Sequence, residues 1–185
     1  MAHIGETIEN PAMGATIRFR QVAESTDGAL MEFDFFLNAG GVIAEDHLHP
    51  EQLESFQVID GAVVGHVGGV ARTVETGQGN TIQPGVVHGW RNAADGQTHL
   101  RVQFRPALKS AEFFETVFAI ARAGRTDDAG VPFFPEKFAI VAAFPHEFKP
   151  AGMPKVVHVL VRAVFGPLSG RILSKYQGAA ANSPR

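Results

Sequence analysis

The sequence contains no cysteine among its 185 residues, which excludes disulfides, zinc–thiolate sites and cysteine nucleophiles. Charged residues are also scarce, at 19% of the chain against a usual share of about 25%, while 45% of the residues are hydrophobic. This balance excludes intrinsic disorder, which requires low hydrophobicity and high net charge. The formal net charge of −3 excludes a nucleic-acid binder driven by bulk positive charge, so we expect no nucleic-acid partner.

Long apolar runs are missing as well. The longest uninterrupted run extends only from Phe138 to Phe144, whereas a membrane-spanning helix needs roughly 20 apolar residues. No N-terminal stretch combines a basic region with an apolar core, so we expect no secretory signal. These absences predict a cytoplasmic protein without stable membrane insertion.

Charge is distributed unevenly along the chain. After Glu147 there are six basic residues and no acidic one, whereas the first 147 residues hold ten basic and 19 acidic side chains. Such a tail can contact an acidic partner or an anionic membrane. We favour the simpler interpretation that the tail packs on its own acidic body, and we keep peripheral membrane contact through residues 155–175 as an alternative.

Residues 14–105 have the pattern of a β-rich unit. Short runs of β-forming residues are separated by turns that contain glycine, and apolar and polar residues alternate from Thr98 to Arg105. This pattern predicts an all-β sandwich or barrel in which one face of each strand packs on a core or lines a cavity. The stretch from Gly61 to Val74 turns at Gly68-Gly69, which predicts a hairpin.

From residue 106 onward the hydrophobic period becomes helical. One helix is predicted around Phe113 to Ala121, and others over about 136–144, 155–165 and 169–176, with a break at Gly166-Pro167. We therefore divide the chain into a β-barrel domain, residues 1–105, and a C-terminal helical extension, residues 106–185. The extension contains six phenylalanines that could cap the barrel or form a homodimer interface: Phe113, Phe114, Phe118, Phe133, Phe134 and Phe138.

Three histidines and one carboxylate form the most informative pattern. His47 and His49 are two residues apart, so on a strand both side chains lie on the same face. Glu54 opens the next β run, and His88 follows a Pro-Gly turn. If these strands line one barrel, three imidazoles and one carboxylate can converge on one point. Ligands of this kind suit Fe, Mn, Ni, Zn or Cu.

The spacing around these residues resembles the two motifs of the cupin superfamily. The first, G-x5-H-x-H-x(3,4)-E-x6-G, is matched at every fixed position and every gap by Gly41, His47, His49, Glu54 and Gly61. The second, G-x5-P-x-G-x2-H-x3-N, is matched by Gly77, Gly85, His88 and Asn92. One position departs from it, because Gln83 occupies the proline slot and Pro84 lies one residue later.

The resemblance implies an all-β fold, the cupin double-stranded β-helix or jelly-roll barrel, followed here by the α-helical extension. It also implies that His47, His49, Glu54 and His88 bind one divalent metal ion. We favour Fe(II), with Mn, Ni, Zn or Cu as alternatives. Four protein ligands on a six-coordinate ion leave two positions open, which is typical of catalytic sites.

Three classes of function follow from this interpretation. We favour an Fe(II)-dependent, dioxygenase-type oxidoreductase that acts on a small hydrophobic, aromatic or enolisable substrate, with Glu54 leaving the metal to act as a base. The first alternative is a Lewis-acid isomerase, decarboxylase or lyase. The second is a cupin that binds a small ligand without turnover. Residues 1–108 contain no lysine, which argues against a phosphorylated substrate.

Four further side chains are candidates for the substrate pocket. Phe56 and Trp90 share strand faces with Glu54 and His88, so they either line the pocket or pack in the core. Arg101 and Gln103 share one face of the last β run and could reach the cavity, although that face could equally meet water or the helical extension.

Overall fold

The structure is a computed structural model that describes residues 2–176, with the side chains of residues 43–45 not described. The strands are β1 (Thr7–Asn10), β2 (Ala15–Gln21), β3 (Met31–Leu37), β4 (Val42–Leu48), β5 (Leu53–Asp60), β6 (Ala62–Val67), β7 (Val70–Glu75), β8 (Gly79–Ile82), β9 (His88–Asn92), β10 (Thr98–Arg105) and β11 (Lys149–Pro150). The helices are α1 (Ser110–Arg122), α2 (Glu136–Ala143) and α3 (Lys155–Leu173).

Two antiparallel sheets form the barrel. Hydrogen bonding orders the strands β1-β2-β3-β10-β5-β8 in one sheet and β11-β4-β9-β6-β7 in the other. Successive strands such as β3 and β4 lie in different sheets, so the chain crosses between them as in a jelly roll. The predicted all-β double-stranded barrel is confirmed. The predicted hairpin is also present, because β6 pairs with β7 across Gly68 and Gly69, both at positive φ.

Strand β10 shows how the sequence positions the core. Leu100, Val102 and Phe104 are buried and lie on the face of β10 that looks into the barrel, because alternate residues of a strand point to opposite faces. Burying a large apolar side chain of this kind stabilises the fold by about 1.5–3 kcal/mol. The intervening residues of β10 therefore point away from the interior.

Two residues of the sequence motifs have structural tasks. The amide nitrogen of Asn92 donates to the carbonyl oxygens of Leu37, Asn38 and Gly96 at 2.8–3.0 Å, and so ties β9 to the end of β3 and to the loop before β10. Gly61 turns the chain from β5 to β6 with φ at +88°, and a Cβ atom there would lie 2.5 Å from Thr98 Oγ1. A larger residue at position 61 would therefore be both strained and crowded.

The helical extension is attached to the barrel at several points. The side-chain amide of Gln52 donates to the carbonyl oxygens of Pro106 and Ala107 and to Ser110 Oγ, at 2.7, 3.1 and 2.8 Å. Further along, β11 adds to the edge of the second sheet by pairing with β4. These contacts bring the segment after α2 beside the strand that carries His47.

A buried acidic residue joins α2 to the end of α3. The Glu136 carboxylate is fully buried and accepts hydrogen bonds from Arg125, Lys175 and the Tyr176 hydroxyl at 3.1, 3.0 and 2.8 Å. Burial alone would raise the pKa of Glu136, but these three donors together lower it to about 2. The carboxylate is therefore ionised at neutral pH.

The predicted break at Gly166-Pro167 is wrong. A single helix, α3, continues through Pro167 to Leu173, where two helices were expected. Proline removes one amide donor from the helical ladder, but Pro167 is exposed, so its ring meets no packed neighbour on that side. Contacts of α3 with α2 on its other side hold the helix together. The end of the extension, residues 177–185, lies outside the described residues.

Candidate metal centre

The barrel brings the four predicted donor residues to one point. His47 lies in β4, Glu54 in β5 and His88 at the start of β9, while His49 follows β4 directly. The pairing of β4 with β9 places His47 opposite His88. All four side chains are buried, and one potential ligand atom from each lies within 4.8 Å of the others.

Backbone carbonyl groups fix the proton on two of the imidazole rings. Nδ1 of His49 lies 2.5 Å from the carbonyl oxygen of Glu147, and Nδ1 of His88 lies 3.0 Å from that of Val86. A carbonyl oxygen can only accept, so each Nδ1 carries the hydrogen. In the neutral rings the Nε2 atoms then hold free lone pairs, which is the state that binds metal ions.

The two Nε2 atoms face the same carboxylate oxygen without making a hydrogen bond to it. They lie 2.9 Å (His49) and 3.0 Å (His88) from Oε2 of Glu54. Both atoms are nevertheless buried without a hydrogen-bond partner among the described residues, because an N–H bond there would not point at the oxygen. Buried polar atoms are rarely left unsatisfied. The arrangement therefore fits a cation that all three atoms contact.

The donor set also suits a divalent metal ion, because imidazole nitrogen and carboxylate oxygen are common ligands of Fe, Mn, Ni, Zn and Cu. A buried group of three imidazoles and one carboxylate could thus hold a divalent metal ion.

The electrostatics of the cluster favour a carboxylate ligand. Burial on its own would raise the pKa of Glu54, but the imidazoles of His49 and His88 hold the pKa of this carboxyl well below its usual range. Burial likewise opposes charge on His88, yet the neighbouring Glu54 raises its pKa. The Glu54 carboxylate is therefore ionised at neutral pH, as a metal ligand must be.

A cavity of about 120 Å³ opens beside the cluster. Most of the described residues that line it are aromatic or aliphatic, and the aromatic ones are Phe33, Phe35, Phe56, Trp90, Phe104, Phe113, Phe114, Phe118 and Phe148. For comparison, an apolar cavity of about 150 Å³ is known to hold benzene. The cavity therefore suits a ligand the size of one small ring.

Two of the four candidate pocket residues line the cavity, and the other two do not. Phe56 and Trp90 line the cavity, with their rings in edge-to-face contact at 5.0 Å. Arg101 and Gln103 lie on the outer face of β10, where Arg101 binds the Asp34 carboxylate at 2.9 Å and Gln103 binds Glu32. The expectation that they reach the cavity does not agree with this placement, because strand alternation turns both side chains away from the interior.

The extension contributes cavity residues that the sequence did not single out. Phe148 stacks on His47 with ring centroids 5.3 Å apart. The loop of residues 129–132 and Lys137 of α2 also line the cavity, as do Phe113, Phe114 and Phe118 of the predicted capping set; Phe133, Phe134 and Phe138 are not among the lining residues. The carbonyl oxygen of Glu147 could not have been found from sequence, because any residue type presents one.

Comparison with known proteins identifies the barrel. Residues 33–103 match the sequence profile of the Cupin domain family. This part of the chain is a cupin domain. The predicted membership of the cupin superfamily is confirmed for it. No curated protein sequence is significantly similar to this one.

Solved cupin structures are similar to the barrel at low sequence identity. A sugar phosphate isomerase of the cupin superfamily from Silicibacter pomeroyi is 21% identical, with a TM-score of 0.45 over 52% of this chain and 62% of that one. KdgF from a Halomonas species is 17% identical, with a TM-score of 0.48 over 53% and 85%. An RmlC-like cupin from Shewanella frigidimarina is 21% identical, with a TM-score of 0.48 over 56% and 86%.

The match spans less than two thirds of the isomerase's own length. At such identities, fold similarity does not transfer an activity.

Proposed function

We propose that this cupin is an Fe(II)-dependent, dioxygenase-type oxidoreductase that acts on a small aromatic or enolisable substrate. The observation that carries the proposal is the position of the His47, His49, Glu54 and His88 cluster at an apolar cavity. An ion bound there would supply Lewis-acid activation of a substrate oxygen and, in the case of Fe(II), electron transfer to dioxygen. Binding and orienting the substrate would then depend on the side chains that line the cavity.

The cavity wall selects the substrate by its apolar surface. Phe56, Trp90 and Phe104 offer ring faces and edges against which a flat apolar group can pack. A sugar would leave its hydroxyl groups without partners against these side chains, and each buried unpaired polar group costs about 1–3 kcal/mol. An aromatic or short aliphatic substrate therefore fits better than a carbohydrate.

Lys137 favours a substrate that carries a negative charge. Among the described residues that line the cavity, it is the one cation apart from the histidines. Lys137 already has an interaction within the protein. In addition, its ammonium group could bind a carboxylate or an ionised hydroxyl of a substrate in the cavity and orient the rest of the molecule. We therefore extend the proposal to substrates that carry an acidic group.

Glu54 serves better as a ligand than as a base. The imidazoles beside it keep its pKa low, and a weakly basic carboxylate removes protons poorly at neutral pH. The proposed role of Glu54 as a base therefore requires that the carboxylate leave His49 and His88, whereas its role as a ligand needs no such movement.

Oxygen uptake tests the proposal directly. The full-length protein is reconstituted with Fe(II) without oxygen and then mixed with aerated small aromatic acids and diketones in an oxygen electrode. We expect one substrate class to consume dioxygen in the wild type and in a His66→Ala control, and not in His88→Ala. His66 is half-buried in β6 and is not among the cavity residues, so its removal tests for a general effect of losing an imidazole.

Two other outcomes would contradict the oxygenase. Turnover without oxygen, supported by several divalent metals, would indicate a Lewis-acid isomerase, decarboxylase or lyase. Saturable binding of a substrate with no turnover under either condition would indicate a ligand-binding cupin.

A further inference from the structure

Helix α3 presents a large apolar surface outside the fold. Val156, Leu160 and Val164 are 70%, 58% and 57% exposed. By length and composition alone, the 19 residues of α3 could cross a membrane, and only 17% of its most apolar stretch is buried in the fold. The expectation that the chain has no such segment rested on uninterrupted apolar runs, and His158 and Arg162 interrupt this one without making it polar.

The exposed residues lie together on one side of α3. Val161 and Leu173 are buried, and Phe165 contacts Phe138 of α2 with ring centroids 5.4 Å apart. At 3.6 residues per turn, the opposite half of the helix carries the exposed apolar side chains Val156, Val157, Val159, Leu160, Val164 and Leu168. This face has no packing partner among residues 2–176.

The loop before α2 enlarges the same surface. Phe134 is 69% exposed, and its ring lies 6.1 Å from that of Phe165 in α3. Phe133 is also exposed. The adjoining residues Val131 and Pro132 line the cavity beside the candidate metal site. The apolar surface of α3 and residues 133–134 is therefore continuous along the chain with the wall of the candidate active site.

Positive charges border this apolar surface, with Arg171 inside it and Lys155 and Arg162 along one edge. Lys155, Arg162 and Arg171 are exposed on α3, and no acidic side chain within the described range forms an ion pair with any of them. The same positive charges act on His158. Burial is the main cause that lowers the pKa of His158, and the charges of Lys149 and Arg162 lower it further.

These charges decide which partner the surface fits. A second copy that met α3 with its own α3 would place Arg171 of both copies in the contact, with Lys155 and Arg162 of both copies along its edge. Residues 148–176 contain no acidic residue to offset these charges. A bilayer-spanning arrangement would place Arg162 near the middle of a helix about 28 Å long, a position that membrane insertion penalises strongly. An anionic lipid surface offers both an apolar layer and negative charge.

We propose that α3 and residues 133–134 bind the surface of an anionic bilayer, with α3 lying in the plane of the interface. Its apolar face enters the boundary between headgroups and acyl chains. Lys155, Arg162 and Arg171 extend toward the lipid phosphates, because the long stems of these side chains can lie along apolar surface while their charges stay solvated. The inference does not depend on the reaction proposed above.

Vesicle flotation of the full-length protein tests this. The vesicles consist of phosphatidylcholine with or without phosphatidylglycerol, at low and high salt. We expect binding to the anionic vesicles that high salt releases. The Arg162→Gln/Arg171→Gln variant should bind more weakly by about fivefold for each charge removed. The Leu160→Ser/Val164→Ser variant should lose about tenfold or more.

Exposed residues of β7 provide matched controls. Val70→Ser removes an equally exposed apolar side chain and Arg72→Gln an exposed charge, and both variants should bind like the wild type. Circular dichroism and thermal melting verify that every variant is folded. Absence of binding to either vesicle, or binding indifferent to lipid charge, would overturn the proposal. A dimer that the Leu160→Ser/Val164→Ser variant dissociates would assign the face to a second copy, and insertion that resists alkaline carbonate would assign it to a span.

Discussion

The candidate metal site depends on the C-terminal extension through Glu147, which yields a sharp prediction. The carbonyl oxygen of Glu147 accepts the Nδ1 hydrogen of His49 at 2.5 Å. Its buried carboxylate accepts the backbone N–H of Lys109, at the start of α1, at 3.0 Å. The Glu147 side chain therefore anchors its segment to the start of α1. This anchor keeps the Glu147 carbonyl oxygen beside the imidazole of His49.

The Glu147→Ala substitution should weaken the metal site without touching a ligand. It removes a charge-assisted hydrogen bond worth about 1.5–3 kcal/mol and frees the segment that orients His49. Losing such support for a histidine ligand typically costs 10–100-fold in metal affinity, so we expect a Kd increase of about that size. Glu147→Gln keeps an acceptor for Lys109 and should lose much less.

Competition with a chelating dye measures the affinity, and urea unfolding measures stability in the same samples. Glu51→Ala serves as the control for the loss of a nearby negative charge. Exposed Glu51 pairs at 2.6 Å with His146, which directly precedes Glu147 in the chain. The reasoning is refuted if Glu147→Ala loses stability while its metal affinity equals that of the wild type.

Three further predictions follow from other parts of the structure. Lys137→Met should raise KM for acidic substrates about tenfold, leaving neutral analogues and metal content unchanged; an equal loss for both substrate types would contradict this. The interactions that lower the pKa of Glu136 from 4.5 to about 2 stabilise the fold above pH 4.5, so the melting temperature should fall as the pH drops from about 4.5 to 2, and Glu136→Gln should flatten that part of the profile. Gly65→Ala should destabilise the barrel by about 2 kcal/mol or more in urea unfolding, because its Cβ atom would lie 2.0 Å from the carbonyl oxygen of Gly89, while Gly170→Ala meets nothing within 4 Å and should be neutral or stabilising.

The barrel and the donor cluster were predictable because short-range rules control them. Strand alternation places His47 and His49 on one face, and the motif glycines mark the turns that join the strands. The same alternation in β10 could have assigned Arg101 to the outer face, since its apolar neighbours Leu100 and Val102 require the interior.

The contribution of the extension was not predictable from local patterns. The contact between His49 and Glu147 joins residues 98 positions apart and uses a backbone atom, which leaves no trace in residue type. The continuity of α3 through Pro167 depends on packing against α2, which overrides the local signal of a Gly-Pro pair. The predicted homodimer and cytoplasmic location stay predictions, since neither is encoded in the contacts of one chain.

Metal content tests the central claim most directly. The protein is purified without chelator, loaded anaerobically with Fe(II), desalted and analysed by mass spectrometry, together with a His47→Ala/His49→Ala double variant and the His66→Ala control. We predict about one metal ion per chain in the wild type and in the control, and almost none in the double variant. A wild type that neither carries nor takes up metal, or a double variant that retains it, would contradict the assignment of His47, His49, Glu54 and His88 as the metal site.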